Sequence, residues 1–238
     1  MTLRSEFATR DGIDIHYLDS LPESDPSLMP LLLCPGLSET AEEYQDMIEH
    51  LSPRRTIALS FRGRGQSGTP EYGYDLKDHI ADIEAVVEHA GLQQFYLYGY
   101  SRGVSYALEY TKRHPERVAR LIVLDYPPEH KAMPLDWVTA YIDDYLVPTN
   151  RLNHLIRPAA VVGIQRDSTQ QQISFLFDRP VLVMRGLLDE SLMSDQDVEA
   201  YCKHFPNARV VGFANSGHTV RQSERIAFYQ AISEFMQN

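Results

Sequence analysis

Three residue types that together perform acyl transfer each follow a strand-like segment of this sequence. Ser101 lies between Gly99 and Gly103, while Asp189 and His218 each stand in a later glycine-containing turn. A serine hydroxyl is a poor nucleophile unless an imidazole takes its proton, and a carboxylate must fix the tautomer of that imidazole. The sequence therefore predicts Ser101 as nucleophile, His218 as general base and Asp189 as the acid, in the chain order serine, aspartate, histidine.

Alternatives to each of these assignments remain open from the residues alone. Asp125 also lies at the end of a strand-like run and could supply the carboxylate, although chain order favours Asp189. His130 follows the same run and competes with His218 as the base. A Gly-x-Ser-x-Gly match also arises by chance, in which case Ser101 would only cap a helix.

Strand-like and helix-like segments alternate along most of the chain and would bring these residues together. The predicted strands cover residues 3–8, 13–17, 31–34, 56–59, 95–99, 121–124, 181–184 and 209–213. Amphipathic helices are predicted over 41–51, from 76, after Ser101, over 195–204 and at the end of the chain. This alternation predicts an α/β fold with a mainly parallel, doubly wound sheet and helices on both faces. Loops at the carboxyl ends of its strands would then converge on one edge.

The strand-helix alternation stops between about residues 129 and 178. This stretch is too long for a simple connection and too short for a convincing domain of its own. It predicts a partly helical cap inserted into one domain spanning 1–238, whose core is 1–128 and 179–238. Trp137, Tyr141 and Tyr145 are candidate pocket residues in this cap, although aromatic residues at helical spacing more often serve packing.

The composition of the chain limits which kinds of binding partner are expected. The net charge of −11 disfavours nucleic acid and anionic membranes, because binding to either needs clustered lysine and arginine. The two cysteines, Cys34 and Cys202, lie in an apolar run and a helix-like run with no secretory signal before them. No apolar segment is long enough to span a bilayer. These features predict a cytoplasmic protein that acts on a small molecule without a cofactor or metal; they say nothing of its oligomeric state.

A glycine-rich turn at Gly63, Gly65 and Gly68 matches the dinucleotide-binding fingerprint and favours an alternative function. That fingerprint requires the third glycine to open a helix whose N-terminus holds the pyrophosphate. Here residues 69–73 continue as loop. A dinucleotide-dependent oxidoreductase is therefore the weakest of the alternatives.

With the strand-end motifs in this order, the chain resembles the α/β-hydrolase family outside the cap. The resemblance rests on the elbow 99–103, the acid turn 186–189, the histidine turn 217–218 and the turn 60–67. It implies that the backbone N–H groups of Leu37 and Arg102 bind the oxyanion. Pro35 stands where the family usually has histidine, and Ser60 stands where its glycine-rich turn usually has aspartate.

The predicted function is that of a serine hydrolase cleaving a carboxylic ester or thioester of a small molecule through an acyl-enzyme. Hydrolysis of a carbon–carbon bond and acyl transfer would use the same residues, and a ligand-binding protein with little turnover would keep the same fold. Arg102 is unusual, since a cation in the first turn of a helix opposes the helix dipole. We expect it to form an ion pair with a nearby carboxylate, or else to bind an anionic group of the substrate.

Overall fold

The computed structural model describes residues 2–237 as strands that alternate with helices. The strands in this range are β1 (Arg4–Arg10), β2 (Ile13–Asp19), β3 (Leu31–Cys34), β4 (Thr56–Leu59), β5 (Phe95–Tyr100), β6 (Val118–Leu124), β7 (Glu129–His130), β8 (Gln171–Gln172), β9 (Val181–Gly186) and β10 (Ala208–Phe213). The α-helices are α1 (Gln45–His50), α2 (Leu76–His89), α3 (Arg102–Arg113), α4 (Trp137–Ala140), α5 (Pro158–Asp167), α6 (Asp195–His204), α7 (Val220–Ser223) and α8 (Arg225–Gln237).

Eight of these strands form one sheet in the order β1-β2-β4-β3-β5-β6-β9-β10. Strands β4 to β10 in that order pair in parallel, whereas β1 and β2 form an antiparallel hairpin at one edge. The hairpin turns at Asp11 and Gly12, whose positive φ angles of 52° and 77° suit a tight two-residue turn. This sheet confirms the predicted mainly parallel fold.

Both faces of the sheet are covered, which explains the continuous apolar runs of its central strands. Every residue of β3, β4 and β5 is buried. One face packs against Ile80 and Ile83 of α2 and Leu108 of α3, and the opposite face packs against Phe228 and Ile232 of α8. The segments read as strands from the sequence are thus strands buried between two layers of helices.

The element boundaries differ from the predictions mainly at helices. The segment predicted as one helix over 41–51 is a 3₁₀ turn, Ala41–Tyr44, followed by α1. The helix predicted from 76 begins at Leu76, where Asp75 and Asp78 form a capping box. The last helix is divided into α7 and α8. Within residues 2–237, no helix is both long and apolar enough to cross a membrane.

Residues 129–178, the cap segment, hold β7, β8, α4, a π-helical turn at Tyr141–Leu146 and α5. Their own apolar cluster includes Leu146, Ile156 and Ile164 and extends to Tyr74 in the core. Gly63 explains the glycine-rich turn: it has a φ of +77°, and a Cβ there would lie 2.3 Å from the Ala160 Cβ. The glycine allows the cap helix α5 to approach, and no helix opens after this turn until α2.

Candidate active site

The candidate site lies at the point where successive strands begin to be added on the opposite side of the sheet. Strand β4 is added on one side of β3 and β5 on the other, so the loops after β3 and β5 diverge at their carboxyl ends. Cys34 at the end of β3 is paired with Gly99 in β5, and Tyr100 is paired with Leu124 at the end of β6. Open α/β sheets bind ligands in the crevice at such a switch point.

Ser101 stands at the apex of a strained turn between β5 and α3. Its φ of 51° and ψ of −134° lie outside the ordinary regions for a residue with a Cβ, which costs about 1–3 kcal/mol. Two glycines make the turn possible. A Cβ on Gly103 would lie 2.3 Å from the Pro35 carbonyl oxygen, and one on Gly99 would lie 2.8 Å from the Val104 Cα. The turn therefore holds the Ser101 hydroxyl at the head of α3.

His218 contacts Ser101, as the sequence predicts. Its Nε2 lies 3.0 Å from Ser101 Oγ, and its Nδ1 lies 2.7 Å from Asp125 Oδ2. Because a carboxylate only accepts hydrogen bonds, Nδ1 carries the proton and Nε2 is free to accept one from the serine. The ring also stacks on Tyr100, with centroids 4.9 Å apart, and the Tyr100 hydroxyl donates to the His218 carbonyl oxygen at 3.2 Å.

The carboxylate at His218 belongs to Asp125, not to Asp189, and this corrects the predicted acid. Asp125 follows β6, the strand next to β5, and its φ of 51° turns a fully buried side chain toward His218. Asp189 follows β9, one strand further away, and is exposed. The geometric reason is therefore strand order: the loop nearest to the elbow supplies the carboxylate.

The turn that contains Asp189 holds Asp125 in place. Gly186 N–H and the Ser191 hydroxyl donate to Asp125 Oδ1, and Leu192 N–H donates to Oδ2 at 2.9 Å. These donors stabilise the charged carboxylate in its buried position. Chain order, the ground on which the sequence analysis favours Asp189, does not decide between the two aspartates, because both lie between Ser101 and His218. The signal in the sequence was that Asp125 directly follows its buried strand.

Two residues beside Ser101 have backbone N–H groups without a protein acceptor among residues 2–237. Arg102 N–H opens helix α3 and has no intrahelical acceptor, as is general for first-turn donors. Leu37 N–H, in the loop after β3, has no acceptor in the part of the chain that the structure describes. Both residues line the same cavity as Ser101 and His218. They are the donors that the family resemblance implies for an oxyanion.

The loop after β3, residues 35–39, is held without the histidine that Pro35 replaces. Gly36 N–H donates to Glu39 Oε2 at 2.9 Å, and the Tyr44 hydroxyl donates to the same oxygen at 2.5 Å. Buried Arg64 donates from Nε to the Leu37 carbonyl oxygen at 2.8 Å. The sequence analysis did not identify Glu39 or Arg64, because neither belongs to a motif that marks this loop.

Arg102 does not have the carboxylate partner expected for it. Its guanidinium is almost fully buried and forms no ion pair within residues 2–237. Every guanidinium nitrogen instead donates to a protein group, and these groups are the Tyr106 hydroxyl, the Lys131 carbonyl oxygen, His130 Nε2 and Ser168 Oγ. The guanidinium thus joins α3 to both ends of the cap segment. The fifth N–H, on Nη1, donates to Met133 Sδ at 3.9 Å, so the protein supplies a partner for every donor of the guanidinium.

His130 is part of this buried network and does not contact Ser101. Its Nε2 accepts from Arg102 at 3.1 Å, so its Nδ1 carries the proton and donates to Ser105 Oγ at 3.1 Å. Burial, with a smaller effect of the Arg102 charge, lowers the pKa of His130 to about 2. A histidine that stays neutral and has both nitrogens bonded is not available as a base for the serine.

A cavity of about 530 Å³ opens beside Ser101 and His218. Trp137, Tyr141 and Tyr145, the predicted pocket residues, all line it. Their rings stack in succession, with centroid separations of 4.8 and 5.3 Å. In residues 2–237, no three histidine, cysteine, aspartate or glutamate side chains converge in a way that could hold a metal ion.

Comparisons with known proteins agree with this architecture. A family model for the alpha/beta hydrolase fold matches residues 29–146. An N-formylmaleamate deformylase of Pseudomonas putida is 24% identical over 95% of this chain and 94% of its own length. A 2-(acetamidomethylene)succinate hydrolase of Mesorhizobium japonicum is 26% identical over 48% of this chain and 41% of its own length.

Solved structures show the same fold over the whole chain. The enol-lactonase from Burkholderia xenovorans LB400 superposes with a TM-score of 0.80 at 16% identity, covering 98% of this chain and 100% of that one. Several curated relatives, the Mesorhizobium enzyme among them, are matched over only 32% to 58% of their own length. The family match, the strand order and the serine elbow together show that this chain has the alpha/beta hydrolase fold.

Proposed function

We propose that this protein is a serine hydrolase that cleaves a carboxylic ester or thioester of a small molecule. The observation that carries the proposal is the continuous hydrogen-bonded path from Ser101 Oγ through His218 to Asp125, with distances of 3.0 and 2.7 Å. In this proposal Ser101 is the nucleophile, His218 the general base and Asp125 the residue that orients the imidazole.

Acylation begins when Ser101 Oγ attacks the carbonyl carbon of the substrate and its proton passes to His218 Nε2. Asp125 keeps the proton of the ring on Nδ1 and stabilises the imidazolium that forms. The carbonyl oxygen becomes negatively charged and accepts from the N–H groups of Leu37 and Arg102. When the tetrahedral intermediate collapses, the bond to the leaving group breaks and His218 returns the proton to the departing oxygen or sulfur.

Deacylation repeats these steps with water as the nucleophile. His218 Nε2 removes a proton from a water molecule, and the hydroxide attacks the carbonyl carbon of the acyl-Ser101 ester. The ester bond to Ser101 Oγ then breaks, and Oγ regains the proton from His218. One ester and one water become one acid and one alcohol, or one thiol when the substrate is a thioester.

An acyl substrate suits this arrangement because a hydroxyl nucleophile and a pair of backbone donors serve addition to a carbonyl group. The names of three similar proteins, a deformylase, a hydrolase and a lactonase, are consistent with such a substrate. Carbon–carbon bond hydrolysis and acyl transfer stay alternatives on the same residues. Among residues 2–237, no particular contact favours either of them over hydrolysis of an ester.

The proposal is tested with phenyl esters and thioesters of short acyl chains and purified wild-type protein. We expect turnover that Ser101→Ala lowers by about 10⁴-fold or more, since the nucleophile is lost. The matched control is Ser27→Ala, which removes a hydroxyl from an exposed loop and should keep the wild-type rate. Equal rates in the wild type and Ser101→Ala would refute the proposal, as would the absence of turnover on every acyl substrate.

A further inference from the structure

Arg151 lies where the cap segment meets the loop after β3, and one nitrogen of its guanidinium has no protein partner. Nε donates to Ser38 Oγ at 3.2 Å, and Nη2 donates to the Ser38 carbonyl oxygen and to both carboxylate oxygens of Glu43. No acceptor for Nη1 lies within reach in residues 2–237. The Arg151 side chain is only 15% exposed and lines the cavity beside Ser101, so this nitrogen is available to a ligand there.

Ser38 provides a second unused donor at the same place. Its Oγ accepts from the Tyr141 hydroxyl at 3.0 Å and from Arg151 Nε at 3.2 Å, which occupies both lone pairs. The hydroxyl proton then has no acceptor among the described residues. Ser38 is buried, lines the cavity and directly follows Leu37. The two donors therefore lie close to the proposed oxyanion site.

The acidic residues nearby do not need these donors. Glu43 already accepts two hydrogen bonds from Arg151 Nη2, at 2.9 and 2.8 Å. Glu39 accepts from Gly36 N–H and the Tyr44 hydroxyl, and its other oxygen lies 3.8 Å from Arg221. Glu39 and Glu43 also line the cavity, and each is paired with a guanidinium. A bound anion could therefore accept hydrogen bonds from Arg151 Nη1 and the Ser38 hydroxyl, which have no acceptor among the described residues.

We propose that Arg151 Nη1 and the Ser38 hydroxyl bind a carboxylate carried by the acyl group of the substrate. Because Ser38 adjoins Leu37, this carboxylate lies only a few atoms from the scissile carbonyl. The stacked rings of Trp137, Tyr141 and Tyr145 bound the chain between the two groups. The preferred substrates are therefore monoesters of short dicarboxylic acids. The inference rests on the proposed function for the identity of the scissile bond. The position of the carboxylate is argued only from the residues that line the cavity.

The test compares phenyl hydrogen glutarate with phenyl methyl glutarate, in which a methyl group removes the charge. A charge-assisted pair predicts a KM about 10- to 100-fold lower for the acid than for the neutral diester. Arg151→Gln should raise the KM of the acid by about the same factor and leave kcat within about 3-fold. The neutral diester should change little. Arg225→Gln, which removes the same charge at an exposed position, is the matched control.

A second variant separates the lost donor from a disturbed Glu43. Arg151→Gln combined with Glu43→Gln keeps a hydrogen-bonded pair without charge, and the preference for the acid should still be absent. A preference restored by this double substitution would overturn the inference, because the single variant would then have acted through Glu43. Ser38→Ala should raise the KM of the acid by a smaller factor.

The outcomes distinguish this inference from the proposed function. If Ser101-dependent hydrolysis occurs with equal KM for the two esters, the carboxylate site is refuted and the hydrolase assignment stands. If neither ester is hydrolysed, thermal shifts test the carboxylate site independently of the proposed function. Millimolar glutarate, but not glutaramide, should then stabilise the wild type and not Arg151→Gln. No glutarate-dependent stabilisation in the wild type would refute the site.

Discussion

Replacing Asp125 by asparagine tests which aspartate serves the imidazole. The two oxygens of Asp125 together accept four hydrogen bonds, one of them from His218 Nδ1 at 2.7 Å. An asparagine amide turned with its NH₂ toward His218 would donate to Nδ1 and move the ring proton to Nε2, where the ring can no longer accept from Ser101. Turned the other way, the amide keeps the tautomer but loses the negative charge that stabilises the imidazolium.

The expected loss follows from these two effects. A wrong tautomer lowers kcat by about 10⁴-fold, and loss of the charge alone should give a smaller decrease, so we expect about 10³- to 10⁴-fold. At about 1.36 kcal/mol for each factor of ten, this is roughly 4–5.5 kcal/mol of transition-state stabilisation. KM should change little, because Asp125 is fully buried and does not line the cavity.

The assay measures initial rates of phenyl ester hydrolysis by Asp125→Asn and by the matched control Asp189→Asn. Asp189 is exposed and has no hydrogen bond or ion pair to other residues in 2–237, so the control should stay within about 2-fold of the wild-type rate. Circular dichroism should show both variants folded. The reasoning is refuted if Asp189→Asn loses as much activity as Asp125→Asn, or if folded Asp125→Asn stays within about 10-fold of the wild type.

Three further predictions concern the structure around the elbow. Gly103→Ala places a Cβ 2.3 Å from the Pro35 carbonyl oxygen, which should cost about 3 kcal/mol or more and lower Tm by roughly 6–12 °C; an unchanged Tm in calorimetry would contradict the steric argument. Buried His130 has a pKa of about 2, against 6.5 in the unfolded chain, so protonation of the unfolded state lowers stability as pH falls below 6.5. Urea titrations should show that His130 lowers the free energy of unfolding of the wild type by about 1.4 kcal/mol between pH 7.5 and 5.5. In His130→Asn this part of the decrease should be absent. An equal decrease of the unfolding free energy in both proteins would contradict the prediction. Arg102→Met should lower stability by about 3 kcal/mol, because the buried acceptors on Tyr106, His130 and Ser168 lose their donor, while changing kcat/KM equally for acidic and neutral esters; a loss confined to acidic esters would show that the guanidinium binds substrate.

The fold and the serine elbow could be predicted from the sequence because local constraints mark them. The buried strands are apolar without interruption, and the glycines beside Ser101 are required by contacts shorter than 3 Å that any Cβ would make. His218 was found for a similar reason, since it occupies a glycine turn before the last helices. These features depend on residues close together in the chain. The single-domain organisation and the cytoplasmic location stay predictions.

The partner of His218 and those of Arg102 depend on contacts between distant segments and could not be predicted in the same way. Asp125 and Asp189 satisfy the same chain order, and only the pairing of β6 with β5 decides between them. Arg102 was expected to need a carboxylate, but its neutral partners come from residues 106, 130, 131 and 168. The unused donors of Ser38 and Arg151 likewise become visible only when the cap segment is placed over the loop after β3.

The most direct test of the central claim, that Ser101 is a nucleophile activated by His218, is covalent labelling with a fluorophosphonate. Its phosphorus should bond to Ser101 Oγ with loss of fluoride, and peptide mass spectrometry should find one adduct, on the peptide that contains Ser101. His218→Ala should slow labelling by several orders of magnitude, and Ser101→Ala should abolish it. Labelling of another residue, or equal labelling of the wild type and Ser101→Ala, would contradict the account.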